Sequence, residues 1–184
     1  CHLSTDVNDR YIIVSGYHDG KITVLRLHED GSVDTDRGCF VKKDEVDVDN
    51  SSYVIKSRNQ KTLYSIADEG IVSFKILPDG GLERLNSVKI NGMRGCHLST
   101  DVNDRYIFVS GYHDGKITVL RLHEDGSVGE IVDEVYHKGL GSIAERNFRP
   151  HVSCTRTTPD GHFVMAADLG IDQVKIYHFD SKDE

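Results

Sequence analysis

Residues 96–128 read CHLSTDVNDRYIFVSGYHDGKITVLRLHEDGSV, and residues 1–33 read CHLSTDVNDRYIIVSGYHDGKITVLRLHEDGSV. One position differs across the whole run: Phe108 stands where the first copy has Ile13. Within the run, CHLSTDV is short and alternating, and RYIFVSGY is rich in aromatic and β-branched residues. KITVLRL sets Ile117 and Val119 against polar neighbours, the pattern of a half-buried strand. The pieces VNDR, YHDG and HEDGS between them are turn sequences. No stretch of ten or more residues shows a helical period.

The same rhythm continues where the wording has diverged. SSYVIKS, KTLYSIADEG, IVSFKILPDGG and LERLNSVKI give a four-strand set across 51–90. PHVSCTRTTPDG, HFVMAADLG and QVKIYHFD give three strands at the end, and GEIVDEVYH supplies the outer strand after the second copy. A unit of four short antiparallel strands recurring at this spacing is the pattern of β-propeller blades, and the distance between the copies is then two blades. The expected fold is all-β, a propeller of about four blades at 1–46, 47–93, 94–137 and 149–180, the last lacking its outer strand. A β-sandwich with a chance duplication is the plainer alternative. The near-identity of the copies implies recent duplication or deliberate construction. An unpaired outer edge invites pairing with another chain, so a homodimer closing a ring of about eight blades is expected.

Composition narrows the function. A net charge of -8 argues against nucleic-acid binding, which needs a basic face. No apolar run approaches the ~20 residues of a membrane span and no signal peptide is visible, so no membrane partner and a cytoplasmic location are expected. Starting at Cys1 is read as a missing or engineered N-terminus. Cys1, Cys39, Cys96 and Cys154 form no C-x-x-C pair, and free thiols are expected rather than a zinc site or disulfide framework. Six of the ten histidines are three positions counted twice.

In a meandering blade the turns A–B and C–D fall on one face and B–C and D–A on the other. The first face collects VNDR, RNQK, TPDGH, HEDGS and LPDGG, all ordinary polar turns. The second collects Arg94, His97, His113, Asp114, Glu145, Arg146, Arg149, His151, Asp168 and Asp172. Propellers commonly bind ligands at a channel mouth, which makes this face the candidate site. His97 reads equally as a strand-end histidine bonded to the next blade, and so does its twin His2. His113 reads as a turn residue, and Asp168 and Asp172 as caps of their own turn. ERNFRPH, 145–151, holds two arginines, a glutamate and a histidine within seven residues, more than a solvated loop needs.

YHKGLGSIAERNFRPHV followed by TPDGHFVMAADLGIDQVKIY resembles the lactonase family of seven-bladed propellers, which includes the propeller-type 6-phosphogluconolactonases and the fungal carboxymuconate lactonising enzymes. RGCHLSTD with VSGYHDG is similar to another of its blades, and GCFVKKDEVDVDNSSY to its N-terminal region, where an early strand helps close the ring. The resemblance runs from about 34 to 180 and makes 1–33 a displaced copy of an internal blade. It implies a hydrolase of carbohydrate metabolism that opens a sugar lactone with water, with no cofactor and no metal. It also implies catalytic roles for His151, Arg146, Glu145 and His97. Arg94, Arg149, His113 and Asp168 would bind a small-molecule lactone. One departure is that many relatives carry Pro-His-Pro-His, whereas Pro150, His151, Val152 and Ser153 stand here. The alternative is a rearranged or engineered propeller fragment that folds and self-assembles without turnover.

Overall fold

A computed structural model describes residues 3–5, 10–16, 20–27, 41–142 and 148–181. Among them every regular element is a strand, and no helix is long and apolar enough to cross a membrane. Fifteen strands form four antiparallel sheets, each a simple meander. The first comprises β1 (Leu3–Thr5), β2 (Tyr11–Gly16), β3 (Lys21–Arg26) and β4 (Val41–Asp47). The second comprises β5 (Val54–Lys56), β6 (Thr62–Ile66), β7 (Gly70–Ile76) and β8 (Leu82–Lys89). The third comprises β9 (His97–Thr100), β10 (Tyr106–Gly111), β11 (Lys116–Leu122) and β12 (Val128–Tyr136). The fourth has three strands, β13 (Val152–Thr157), β14 (Phe163–Asp168) and β15 (Gln173–His178). The expected partial propeller of about four blades is what the chain forms, and among the described residues β15 pairs only with β14.

Successive blades share cores because β-branched residues alternate along the middle strands and both faces of an inner blade are covered. Ile13, Ile22 and Val24 pack on Val54, Leu63, Val72 and Phe74 between the first two blades. Tyr64, Ile66 and Ile71 meet Leu98, Ile107, Val109 and Leu120 between the next two. Phe108, Ile117 and Val119 meet Val152, Val164 and Ala166 between the last two. Among the described residues, no cluster joins the fourth blade to the first. The one substitution between the copies sits on the face turned to the following blade. Phe108 reaches an edge contact with Phe179 there, with ring centroids 5.3 Å apart, whereas Ile13 packs in a cluster of mostly aliphatic residues with Phe74.

The kinship of the copies extends beyond the identical run. Lys21 pairs with Glu45 on β4 at 2.5 Å, and Lys116 pairs with Glu134 on β12 at 2.6 Å. Thr23 lies opposite Glu45 and Thr118 opposite Glu134, and both ladders shift register at the next residue pair, Val24/Leu25 and Val119/Leu120. Each lysine draws its glutamate below the usual carboxylate range. The third-blade pair is the more enclosed, with the Lys116 ammonium also donating to the Asn91 carbonyl.

Candidate active site

The site is built where the D–A connections meet the inner strands of the third and fourth blades. His151 directly precedes β13 and is 5 % exposed. Its ring stacks on Tyr112, with centroids 4.4 Å apart, and takes an edge contact from Phe148 at 6.3 Å. Nδ1 lies 2.6 Å from the Tyr112 carbonyl oxygen. A carbonyl can only accept, so neutral His151 carries its proton on Nδ1 and leaves Nε2 as an acceptor. Nε2 has no hydrogen-bond partner among the described residues. His113 meets the edge of the same Tyr112 ring at 5.4 Å, and the Arg149 guanidinium lies over Phe148 at 5.6 Å. Three of the expected positions, His113, Arg149 and His151, are thus gathered around two aromatic rings.

Beneath them lies a buried polar chain. Asp168 Oδ1 accepts the His151 backbone N–H at 2.7 Å and the Gly170 N–H at 2.9 Å. Its Oδ2 sits 2.6 Å from His137 Nδ1, and His137 Nε2 is 2.9 Å from the Tyr177 hydroxyl. Burial and the Asp168 charge push the Tyr177 hydroxyl pKa up. Asp168 is 2 % exposed with both oxygens committed, so the structure places it behind His151, fixing the backbone there. Asp172 reaches across instead, accepting from Ser142 N and Oγ at 2.7 Å each.

Two glycines make this geometry possible. A Cβ on Gly170 would lie 1.9 Å from the Arg149 carbonyl oxygen and 2.8 Å from His151 N, so only glycine lets the DLGID turn approach the strand so closely. Gly115, at φ +64°, closes the YHDG turn with its missing Cβ 2.6 Å from Pro150.

The remaining positions point elsewhere. Arg94 reaches the Asp68 carboxylate and the Asn50 carbonyl, each at 3.3 Å, across the second and third blades. His97 begins β9 at the same end as His151, but its Nε2 lies 3.6 Å from Cys154 Sγ and its ring 4.8 Å from Tyr53. Cys96 and Cys154 are free thiols, and burial raises the Cys96 pKa to about 11. Glu145 and Arg146 lie outside the described residues, as do His2, Cys1 and Cys39. His137, Tyr112 and Tyr177 are the site residues that sequence reading did not single out. His137 ends a strand that reads as an ordinary outer strand, and its partner is 31 positions away.

The described residues hold no group of three or more side chains arranged for a metal ion. What the arrangement offers is a histidine with a defined tautomer, a nearby arginine, and a rigid buried support.

The comparisons with known proteins agree with this architecture. A family description, Lactonase, 7-bladed beta-propeller, matches residues 40–184, beginning immediately before β4. A 6-phosphogluconolactonase of Bacillus subtilis is 37% identical over 139 residues, covering 73% of this chain and 39% of that protein. A crystal structure of a putative 6-phosphogluconolactonase from Bacteroides fragilis superposes with a TM-score of 0.82 at 29% identity, over 98% of this chain and 51% of that one. The Pseudomonas aeruginosa periplasmic gluconolactonase PpgL gives a TM-score of 0.78 at 25% identity, over 91% of this chain and 49% of that one. The chain spans about half the length, or less, of these relatives. With the meander of blades, the DLGID turn under the Pro-His strand and the family match over most of its length, this chain belongs to the lactonase family of seven-bladed β-propellers.

Proposed function

We propose that this chain carries a lactone-opening site of the 6-phosphogluconolactonase kind at the face holding His151. The observation that carries the reading is the Nδ1–H bond to the Tyr112 carbonyl, which leaves Nε2 as the acceptor of a water proton. In the reaction, the water oxygen bonds to the lactone carbonyl carbon as His151 Nε2 takes its proton. The carbonyl oxygen becomes an oxyanion that Arg149 and Arg146 hold. Collapse of that intermediate breaks the ring C–O bond, and the leaving alkoxide takes a proton from the imidazolium or from Glu145. His113 lines the substrate mouth beside Tyr112. His97 and Arg94 support it from the neighbouring blade through Cys154 and Asp68, and Asp168 holds His151 in place. The chain works in the cytoplasm on this reading, which the free Cys96 and Cys154 thiols support. The test is hydrolysis of 6-phosphogluconolactone above the spontaneous rate. Turnover that falls on Arg146→Ala supports the reading; a rate equal to the uncatalysed one, in a preparation shown to be folded and ring-closed, overturns it.

The partner on this reading is a second copy, two chains closing one ring of about eight blades. Both end faces support it. On the fourth blade Phe163, Met165, Val174 and Ile176 form an exposed apolar face, the last two 65% and 64% exposed. On the first blade Ile12, Val14 and Leu25 are only half-buried, yet their twins Ile107, Val109 and Leu120 are covered by the preceding blade. The same residues that are core in one copy are surface in the other. Light scattering is expected to give twice the 20.6 kDa chain mass. Met165→Glu or Val14→Glu should each split the dimer, and mixing the two variants should restore dimers through the one intact junction. A monomeric wild type, or a dimer indifferent to both substitutions, overturns the closure.

A further inference from the structure

The face carrying the A–B turns reads in sequence as plain polar turns, and the structure changes that reading. On the inner side of the blades, where β5, β9 and β13 run side by side, a groove of about 490 Å³ is lined by Tyr53, Lys56, Arg58 and Arg156. A smaller one of about 230 Å³ adjoins it and shares Lys56, Arg58 and Arg156. Three cations therefore converge at one place in a chain whose net charge is -8. Convergence of like charge in an acidic protein calls for a counter-charge.

None of the three finds a carboxylate partner among the described residues. Lys56 Nζ donates to Gln60 Oε1 at 3.2 Å, which leaves two of its three protons. Arg58 Nε donates to the Asp101 carbonyl at 3.1 Å, which leaves both terminal nitrogens. Arg156 stands beside the Tyr53 hydroxyl. The nearby carboxylates are already spent on the backbone. Asp101 accepts from the N–H groups of Asn103, Arg105 and Tyr106. Asp104 accepts from the N–H groups of Arg58 and Asn59 and from the Thr100 hydroxyl. Asp104 thereby ties the turn bearing Arg58 to the neighbouring blade, so the guanidinium is held at the groove by a rigid loop.

We propose that this groove binds the phosphate group of a small phosphorylated molecule. Two planar guanidinium forks and an ammonium match the three outer oxygens of a phosphate monoester dianion, and the Tyr53 hydroxyl adds a further donor. The site is distinct from the His151 face. Its three cations lie toward the A–B turn end of the inner strands, with Arg156 about 17 Å along β13 from His151. Tyr53 marks the end of the groove nearer His97. It does not rest on the lactone-opening reading, since it is argued from its own residues.

The test titrates inorganic phosphate, then glycerol phosphate, into the 184-residue chain at low ionic strength, followed by calorimetry. Saturable binding is expected, weakening with added salt. Arg156→Gln and Arg58→Gln should each weaken it by roughly tenfold or more, the loss of one charge-assisted contact. Both side chains are exposed, so the fold tolerates the changes. Arg149→Gln should leave phosphate affinity unchanged. Absence of saturable binding overturns the proposal. So does loss of binding with Arg149→Gln while Arg58→Gln and Arg156→Gln bind normally, because the phosphate then sits at the His151 face.

Discussion

Replacing Asp168 by alanine is expected to destabilise the chain by about 3–5 kcal/mol, the usual cost of removing one partner from a fully buried pair. Urea unfolding followed by circular dichroism measures it. The substitution strips acceptors from His137 Nδ1, the His151 N–H and the Gly170 N–H at once, and all three groups are buried. Asp168→Asn separates hydrogen bonding from charge. An asparagine oxygen can still accept both backbone N–H groups while its amide donates to His137 Nδ1. His137 then turns to its other tautomer, and Nε2–H donates to Tyr177. The asparagine variant should therefore cost only about 1–2 kcal/mol. Equal costs for the two variants would show that an ion pair, and not the hydrogen-bond chain, holds this junction.

His151→Gln is expected to lower kcat for lactone hydrolysis by about 10²–10⁴-fold, the range for removing a positioned general base. KM should move little, because the arginines that hold the substrate are untouched. Tyr112→Ala acts on the same group indirectly. It removes the stacking surface at 4.4 Å while keeping the carbonyl that fixes the tautomer. Its loss should be smaller. A His151→Gln enzyme with full kcat would remove the histidine from the mechanism.

The blades were legible because strand patterning and turn chemistry are local. HEDGS, YHDG and LPDGG punctuate the chain, and the β-branched alternation between them assigns the faces. The gathering of His113, Arg149 and His151 on one face followed from the parity of the turns alone. Contacts that depend on distant partners were not legible. The His137–Asp168 bond joins a strand end to a strand end 31 residues later, and nothing in the wording around His137 marks it. Lys56, Arg58 and Arg156 are spread over a hundred positions of sequence, so nothing in the wording marks them as one cluster. Arg94 illustrates the converse: its position on the expected face was legible, but its engagement with Asp68 was not.

The twin hairpins also bear on how the chain reaches its fold. β2–β3 and β10–β11 are the same hairpin to any incoming strand, and β4 and β12 both present an Asp-Glu-Val segment to the waiting lysine. Either outer strand can dock on either hairpin with its glutamate placed and its register shift in step. The shared lysine–glutamate pairing separates the two only weakly, and the deeper burial of the Lys116–Glu134 pair together with the short β11–β12 connection favours the native one. Refolding is therefore a sorting problem as well as a packing one. A fraction of molecules should pass through a state with an outer strand on the wrong twin, the misassembly to which repeat architectures are prone, and escape requires peeling a whole ladder.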